Sequence, residues 1–184
     1  MKKIMMTLAA VAVAATMNAQ VWMGGELTLS GSHTNGSDNT DKVFTIAPEI
    51  GYNLNDNFAV AVKLGFSHAS TKEIAGNAFS NVNAYSVNPY VRYNFVKAGN
   101  FAAFVDGGIG YTTLHVQGAD KNFNQVGVSV VPGISYAVSE KVGLVAHLGE
   151  GLYFKHTWLK DAVRNNSYGL NLFNGISFGA YYNF

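Results

Sequence analysis

An all-β fold, an eight-stranded antiparallel up-and-down transmembrane β-barrel with short turns at one end and long loops at the other, is predicted by three features of this 184-residue chain. Apolar residues recur at every second position along eight segments. A Pro-x-x-x-Tyr motif returns three times, at Pro48, Pro89 and Pro132, with spacings of 41 and 43 residues. In each segment a bulky apolar face opposes a face of small and polar residues, which is the pattern of a strand between lipid and a narrow lumen. Composition agrees, since charged residues make up only 12% of the chain while Gly (20), Tyr (10) and Phe (12) are plentiful.

The first nineteen residues stand outside this pattern. Lys2 and Lys3 precede an apolar run from Ile4 to Ala15, and Asn18-Ala19-Gln20 places a small residue at a cleavage point. We read residues 1–19 as a secretory signal peptide and 20–184 as the barrel domain. The apolar run is too short to span a bilayer, which takes roughly 20 residues. Cleavage removes two lysines and leaves 10 basic against 11 acidic groups. With so little charge and no run of Lys or Arg, nucleic-acid binding is excluded. The absence of cysteine excludes a disulfide framework or a thiolate metal site.

Strands are expected to begin near Val21, Val43, Phe58, Ala84, Phe101, Val126, Val142 and Tyr168. In the second, Phe44, Ile46, Pro48, Ile50, Tyr52 and Leu54 share one face, opposite Thr45, Ala47, Glu49, Gly51 and Asn53. In the third, Phe58, Val60, Val62, Leu64 and Phe66 oppose Ala59, Ala61, Lys63, Gly65 and Ser67. Short links at Asn55 to Asn57, Lys97 to Asn100 and Ser139-Glu140 alternate with long polar ones near 31–41, 69–82, 113–124 and 155–167. Proline removes a ladder donor, so three prolines at equivalent places predict a repeated bulge or skipped bond. Glu150 breaks the alternation between Gly149 and Gly151, which predicts a bulge or a position at the outer interface.

The bulky face belongs outside. Eight strands enclose only enough room for side chains to fill, and a soluble barrel would leave the Gly- and Ala-rich face on its surface. Two aromatic girdles fit a lipid-facing surface: Tyr52, Phe58, Tyr93, Phe101, Tyr136 and Tyr182 beside the short turns, and Phe44, Phe66, Tyr85, Tyr111 and Tyr168 near the long loops. On the inner face, Glu26, Glu49, Lys63, Arg92, Asp106 and His147 lie three to six residues from the short-turn end. They are expected to form a cross-lumen network in which Lys63 and Arg92 bridge the three carboxylates, because unpaired buried charges are costly.

Ile176, Phe178, Ala180, Tyr182 and Phe184 share the outward face of the last strand, which ends on an aromatic residue. With this feature the chain resembles the small eight-stranded outer-membrane barrels of the OmpA and OmpX type, the outer membrane protein beta-barrel domain family. The resemblance covers nearly the whole chain after residue 19. It implies an integral outer-membrane location in a Gram-negative-type bacterium, periplasmic short turns and extracellular long loops. It also implies that the barrel assembly machinery reads the terminal strand as an insertion signal. Expected partners are that machinery, outer-membrane lipids and an extracellular partner at the loops, and the expected state is a monomer.

The function expected from these features is structural or surface-interacting, without catalysis and without a cofactor or metal. The alternatives are an outer-leaflet lipid A-modifying enzyme and a small pore. Phe66-Ser67-His68-Ala69-Ser70 is similar to the His-x-Ser arrangement of lipid A deacylases, but Thr71 replaces that family's Asn, and only Glu73 lies nearby as a carboxylate. His33, His115 and His156 fall near the long loops, where solvated histidines are commoner than metal sites. Among the loop residues Trp158 and Leu159, followed by Lys160 and Arg164, are the candidate contact point.

Overall fold

The computed structural model describes residues 20–33, 40–71, 81–117, 122–159, 164–172 and 175–184, all as strands and their connections. The proposed signal peptide and the tips of the long loops, including Ile74, Ala75 and Phe79, lie outside the described residues. So does Lys160, together with the side chains of His33 and Leu159. The strands are β1 (Val21–His33), β2 (Thr40–Asn53), β3 (Phe58–Thr71), β4 (Val82–Ala98), β5 (Phe101–Val116), β6 (Phe123–Ala137), β7 (Val142–Leu148), β8 (Gly151–Leu159), β9 (Arg164–Asn171) and β10 (Ile176–Asn183).

Ten segments build eight barrel strands, every pairing antiparallel. β7 and β8 both pair with β6 and together form the seventh strand. β10 pairs with β7, and β9 pairs with β8, so these two form the eighth. The sheet closes where β10 meets β1, from Trp22 opposite Asn183 to Leu27 opposite Phe178. Beyond Leu27, among the described residues, β1 pairs only with β2 and β9 only with β8. Leu29 and Tyr168, at the two sides of this seam, are 79% and 81% exposed, the highest values among the large apolar side chains.

The break in the seventh strand has a readable cause. Gly133 lies opposite His147 while Val130 lies opposite Leu152, so the β7–β8 side carries two extra residues at this point. Gly149 and Gly151 absorb them at φ 70° and 67°, in the left-handed region that glycine enters without a Cβ clash. Glu150, between them, is half-exposed, and Lys155 donates to its carboxylate at 2.6 Å. Pro132 faces this bulge. Pro48 and Pro89 produce the other predicted outcome, a skipped rung without change of register: pairing to the next strand jumps from Ile46–Phe66 to Glu49–Lys63 and from Val87–Tyr111 to Tyr90–Gly108. Toward the preceding strand all three prolines keep register, opposite Gly25, Val62 and Val105.

Two sequence expectations are corrected. The strands run further into the polar segments than their apolar residues do: β1 reaches His33, β3 Thr71, β5 Val116, and β8 occupies much of the expected 155–167 loop. Ladder hydrogen bonds do not depend on side-chain polarity, so hairpins continue beyond the apolar band. The inner face is also less uniformly small than expected, because Trp22, Tyr90, Phe104 and Tyr181 point into the lumen. The assignment of faces itself is borne out: Val62, Leu64, Ile109, Val128, Ile134 and Leu144 are exposed on the wall, while Glu49, Arg92, Asp106 and His147 are buried inside. The girdles are paired across strands, with Phe58–Tyr93 and Phe101–Tyr136 ring centroids 4.7 and 4.6 Å apart at the short-turn end and Phe66–Tyr85 at 5.4 Å near the loops.

Candidate functional site

Inward-facing positions from β1 to β5 and from β7 converge on one buried layer of the lumen. Each charged member shares the parity of the inward positions of its own strand, so the pleat alone aims it inward. Register then sets the partners. Arg92 lies directly opposite Asp106 and Glu49 directly opposite Lys63. Arg92 donates to both Asp106 oxygens at 2.8 Å, a bidentate fork that fixes both side chains. Lys63 donates to Glu26 and lies 3.7 Å from Glu49.

The layer therefore has two halves, and His147 links them. Its Nε2 is 2.7 Å from Asp106 Oδ2, and its Nδ1 is 3.0 Å from Glu26 Oε1, an approach out of line for a hydrogen bond. The expected network of six residues is brought together, with one rearrangement. Lys63 takes Glu26 and Glu49, Arg92 takes Asp106 alone, and the histidine supplies the bridge between them. Three further residues complete the layer: Tyr90 donates to Glu49 at 2.8 Å, Ser177 donates to Glu26 at 2.7 Å, and Phe104 lies beneath the Arg92 guanidinium at 3.9 Å. Tyr90, Trp22 and Phe104 are not among the residues expected in this layer. Their inward parity in the two-residue alternation is the signal that identifies them.

Glycines on the same face make room for these rings. A Cβ on Gly133 would overlap the Phe104 ring and approach Ala146 O, and one on Gly51 would overlap Trp22. Gly133→Val is therefore expected to destabilise the barrel by about 1–3 kcal/mol through overpacking. A lower urea midpoint for the loss of its unboiled gel mobility would check this.

A space lies on each side of the layer. On the short-turn side lies a recess of about 460 Å3 bordered by Trp22, Ala59, Arg92, Asn94 and Tyr181. On the loop side lies a polar cavity of about 170 Å3 bordered by Glu26, Lys63, Asn88, Asp106 and His147. Asn88 Oδ1, at the wall of this cavity, lacks a protein hydrogen-bond partner, and a cavity of this size has room for water against such a lone pair. Between the two spaces Phe104 is fully buried and Arg92 is 6% exposed.

The other candidate residues lie apart from this layer. His68 and Ser70 share the outward face of β3, and His68 Nδ1 is 2.7 Å from Asn83 Oδ1. His115 and His156 are likewise held by Asn122 and Asn166 at 2.8 and 2.7 Å. Among the described residues no cluster of His, Asp or Glu is arranged to hold a metal. Trp158 sits at the outer end of β8, half-buried, stacked with His156 at 5.6 Å. Ile176, Phe178, Ala180, Tyr182 and Phe184 line the outer face of β10 and the terminus, with Tyr182 and Phe184 in edge contact at 5.3 Å.

Known proteins share this architecture. The chain is similar to the crystal structure of Neisserial surface protein A, with a TM-score of 0.53 and 18% identity over 91% of this chain and 98% of that one. It is also similar to the outer membrane protein OprG of Pseudomonas aeruginosa, with a TM-score of 0.56 and 11% identity over 90% and 96% of the two chains. At these identities the likeness concerns the fold. In sequence it is 28% identical over 132 residues to the uncharacterized outer-membrane protein y4mB of Sinorhizobium fredii, a match covering 65% of this chain and 58% of that relative's length. The model of the outer membrane protein beta-barrel domain matches residues 4–184, and the chain belongs to that family, as an integral barrel of the bacterial outer membrane.

Proposed function

We propose that this barrel is a non-catalytic structural and surface-interaction protein whose lumen is closed by the charged and aromatic layer and whose external hairpins make the contacts. The observation that supports this reading is the Arg92–Asp106–His147 chain over the buried Phe104 ring, with a space on each side. Every charged group in it is paired, so a hydrated ion entering the layer would have to break a buried charge pair. The deacylase alternative is less well supported, because the described partner of His68 is an amide and a triad requires a carboxylate.

In the same reading residues 1–19 direct export, the outward face from Ile176 to Phe184 is read by the barrel assembly machinery, and the barrel is a monomer. Trp158 and Leu159, at the outer end of β8, are the contact residues next to the external loops. Planar-bilayer recording of the full-length barrel tests closure: no steady conductance is expected from the unaltered protein. A steady ohmic current from it would replace this reading with that of a small pore.

A further inference from the structure

The outward face of β8 and β9 carries polar groups where the lipid-facing surface should still need a partner. On β6 the apolar wall runs from Tyr136 to Val126, eleven residues and ten steps. At about 3.3 Å per residue and a tilt of about 40°, this run is about 25 Å tall, the height of an outer-membrane apolar band. Val126 lies opposite His156, and Asn124 lies opposite Trp158, whose other neighbour in register is Arg164. These residues therefore stand at the upper boundary of the band, at headgroup level. There the Tyr111 hydroxyl donates to Asn124 at 2.8 Å, His156 stacks on Trp158, and Arg164 is exposed.

A second observation shows that this is a repeated device. Directly below the His156–Asn166 pair, Phe154 lies opposite Tyr168. On β3 and β4 the same arrangement recurs, with His68 opposite Asn83 and, below it, Phe66 opposite Tyr85. A Phe-x-His strand facing an Asn-x-Tyr strand thus appears in the second and fourth hairpins, four barrel strands apart and so on opposite walls. In both, His Nδ1 meets the Asn Oδ1 oxygen at 2.7 Å, so the ring donates from Nδ1. That leaves the Asn amide hydrogens to donate to a headgroup phosphate and the Nε2 lone pair to accept from a headgroup hydroxyl, above rings that can cover its acyl chains.

We propose that the His156, Trp158, Arg164 and Asn166 face is a binding site for an outer-leaflet lipid bearing phosphate monoesters, and that the His68–Asn83 face is a weaker copy. Arg164 supplies the bidentate cation that a phosphate prefers, and Trp158 supplies the amphipathic ring favoured at the interface. The second site lacks an equivalent arginine among its described residues. This assignment names a partner for the contact residues proposed above. It rests on the membrane-spanning reading and is independent of whether the lumen is closed.

The test is native mass spectrometry of the full-length barrel in neutral detergent, mixed in turn with bisphosphorylated lipid A, dephosphorylated lipid A and phosphatidylcholine. The bisphosphorylated lipid should be retained about tenfold better than the other two, the discrimination of one charge-assisted hydrogen bond. Arg164→Ala should abolish that preference, and His68→Gln should leave most of it. Retained heat-modifiable gel mobility shows that each variant is folded, and His156→Gln provides a second variant. Equal retention of all three lipids, or an Arg164→Ala variant that behaves as the unaltered chain, overturns the proposal. Displacement of the lipid by millimolar inorganic phosphate would also overturn it, by revealing a bare anion site.

Discussion

Replacing Arg92 by leucine is expected to cost the barrel about 3–5 kcal/mol, because it strands a buried carboxylate. Asp106 is 6% exposed and receives both of its guanidinium hydrogen bonds from Arg92. After the substitution its remaining contact in the layer is His147 at 2.7 Å. The guanidinium also lies over Phe104 at 3.9 Å and within 5.6 Å of the Trp22 and Tyr90 rings, so the variant loses packing as well as charge. Urea titration of the barrel in lipid vesicles, followed by tryptophan fluorescence, should show the loss as an earlier midpoint. The double variant Arg92→Leu with Asp106→Leu should recover much of it, since removing both partners leaves no orphaned charge. If the single and double variants are equally unstable, the cost lies in packing and the pair contributes little. The double variant should also raise bilayer conductance only if the charges, and not the rings, close the lumen.

How far the sequence carries the argument depends on which interaction decides each feature. Two-residue alternation fixes which side chains face lipid, because one face is uniformly bulky, and Val60, Val62 and Leu64 lie on the exposed wall as that alternation requires. It also placed all six charged residues in one lumen, since inward parity and similar depth are properties of each strand alone. The pairing among them depends on stagger between strands, which local periodicity does not contain. Stagger is what puts Arg92 opposite Asp106 and leaves His147 to join Asp106 to Glu26. Trp22, Tyr90 and Phe104 obey the same parity rule and are buried, although a lumen of small residues gives no reason to expect rings there. The two extra residues at Glu150 were legible as a bulge, because flanking glycines mark a backbone that enters positive φ. The recurrence of Phe-x-His opposite Asn-x-Tyr was invisible until register aligned the strands, since its halves are separated by 14 residues in one hairpin and 9 in the other.

Val130→Arg should give the second largest effect, about 2–4 kcal/mol, and it tests the direction of the faces themselves. Val130 is near the middle of the outward run of β6 from Tyr136 to Val126 and is 46% exposed on the wall. Its register neighbours are Gly107 and Leu152, on the same outward face, and a Cβ on Gly107 would meet nothing within 4 Å. The arginine would therefore meet no steric obstacle, and any destabilisation measures the cost of placing its charge at the centre of the bilayer. Thr113→Arg, also outward but two residues beyond the Tyr111 level, should cost only about 0–1 kcal/mol, because its charge reaches the headgroups. In detergent micelles, which deform around a charge, the difference between the two variants should shrink, whereas in bilayers it should persist. Equal, small effects at both depths would mean that the wall does not face hydrocarbon at Val130. The depth dependence, more than either value alone, ties the exposed apolar side chains of this wall to lipid.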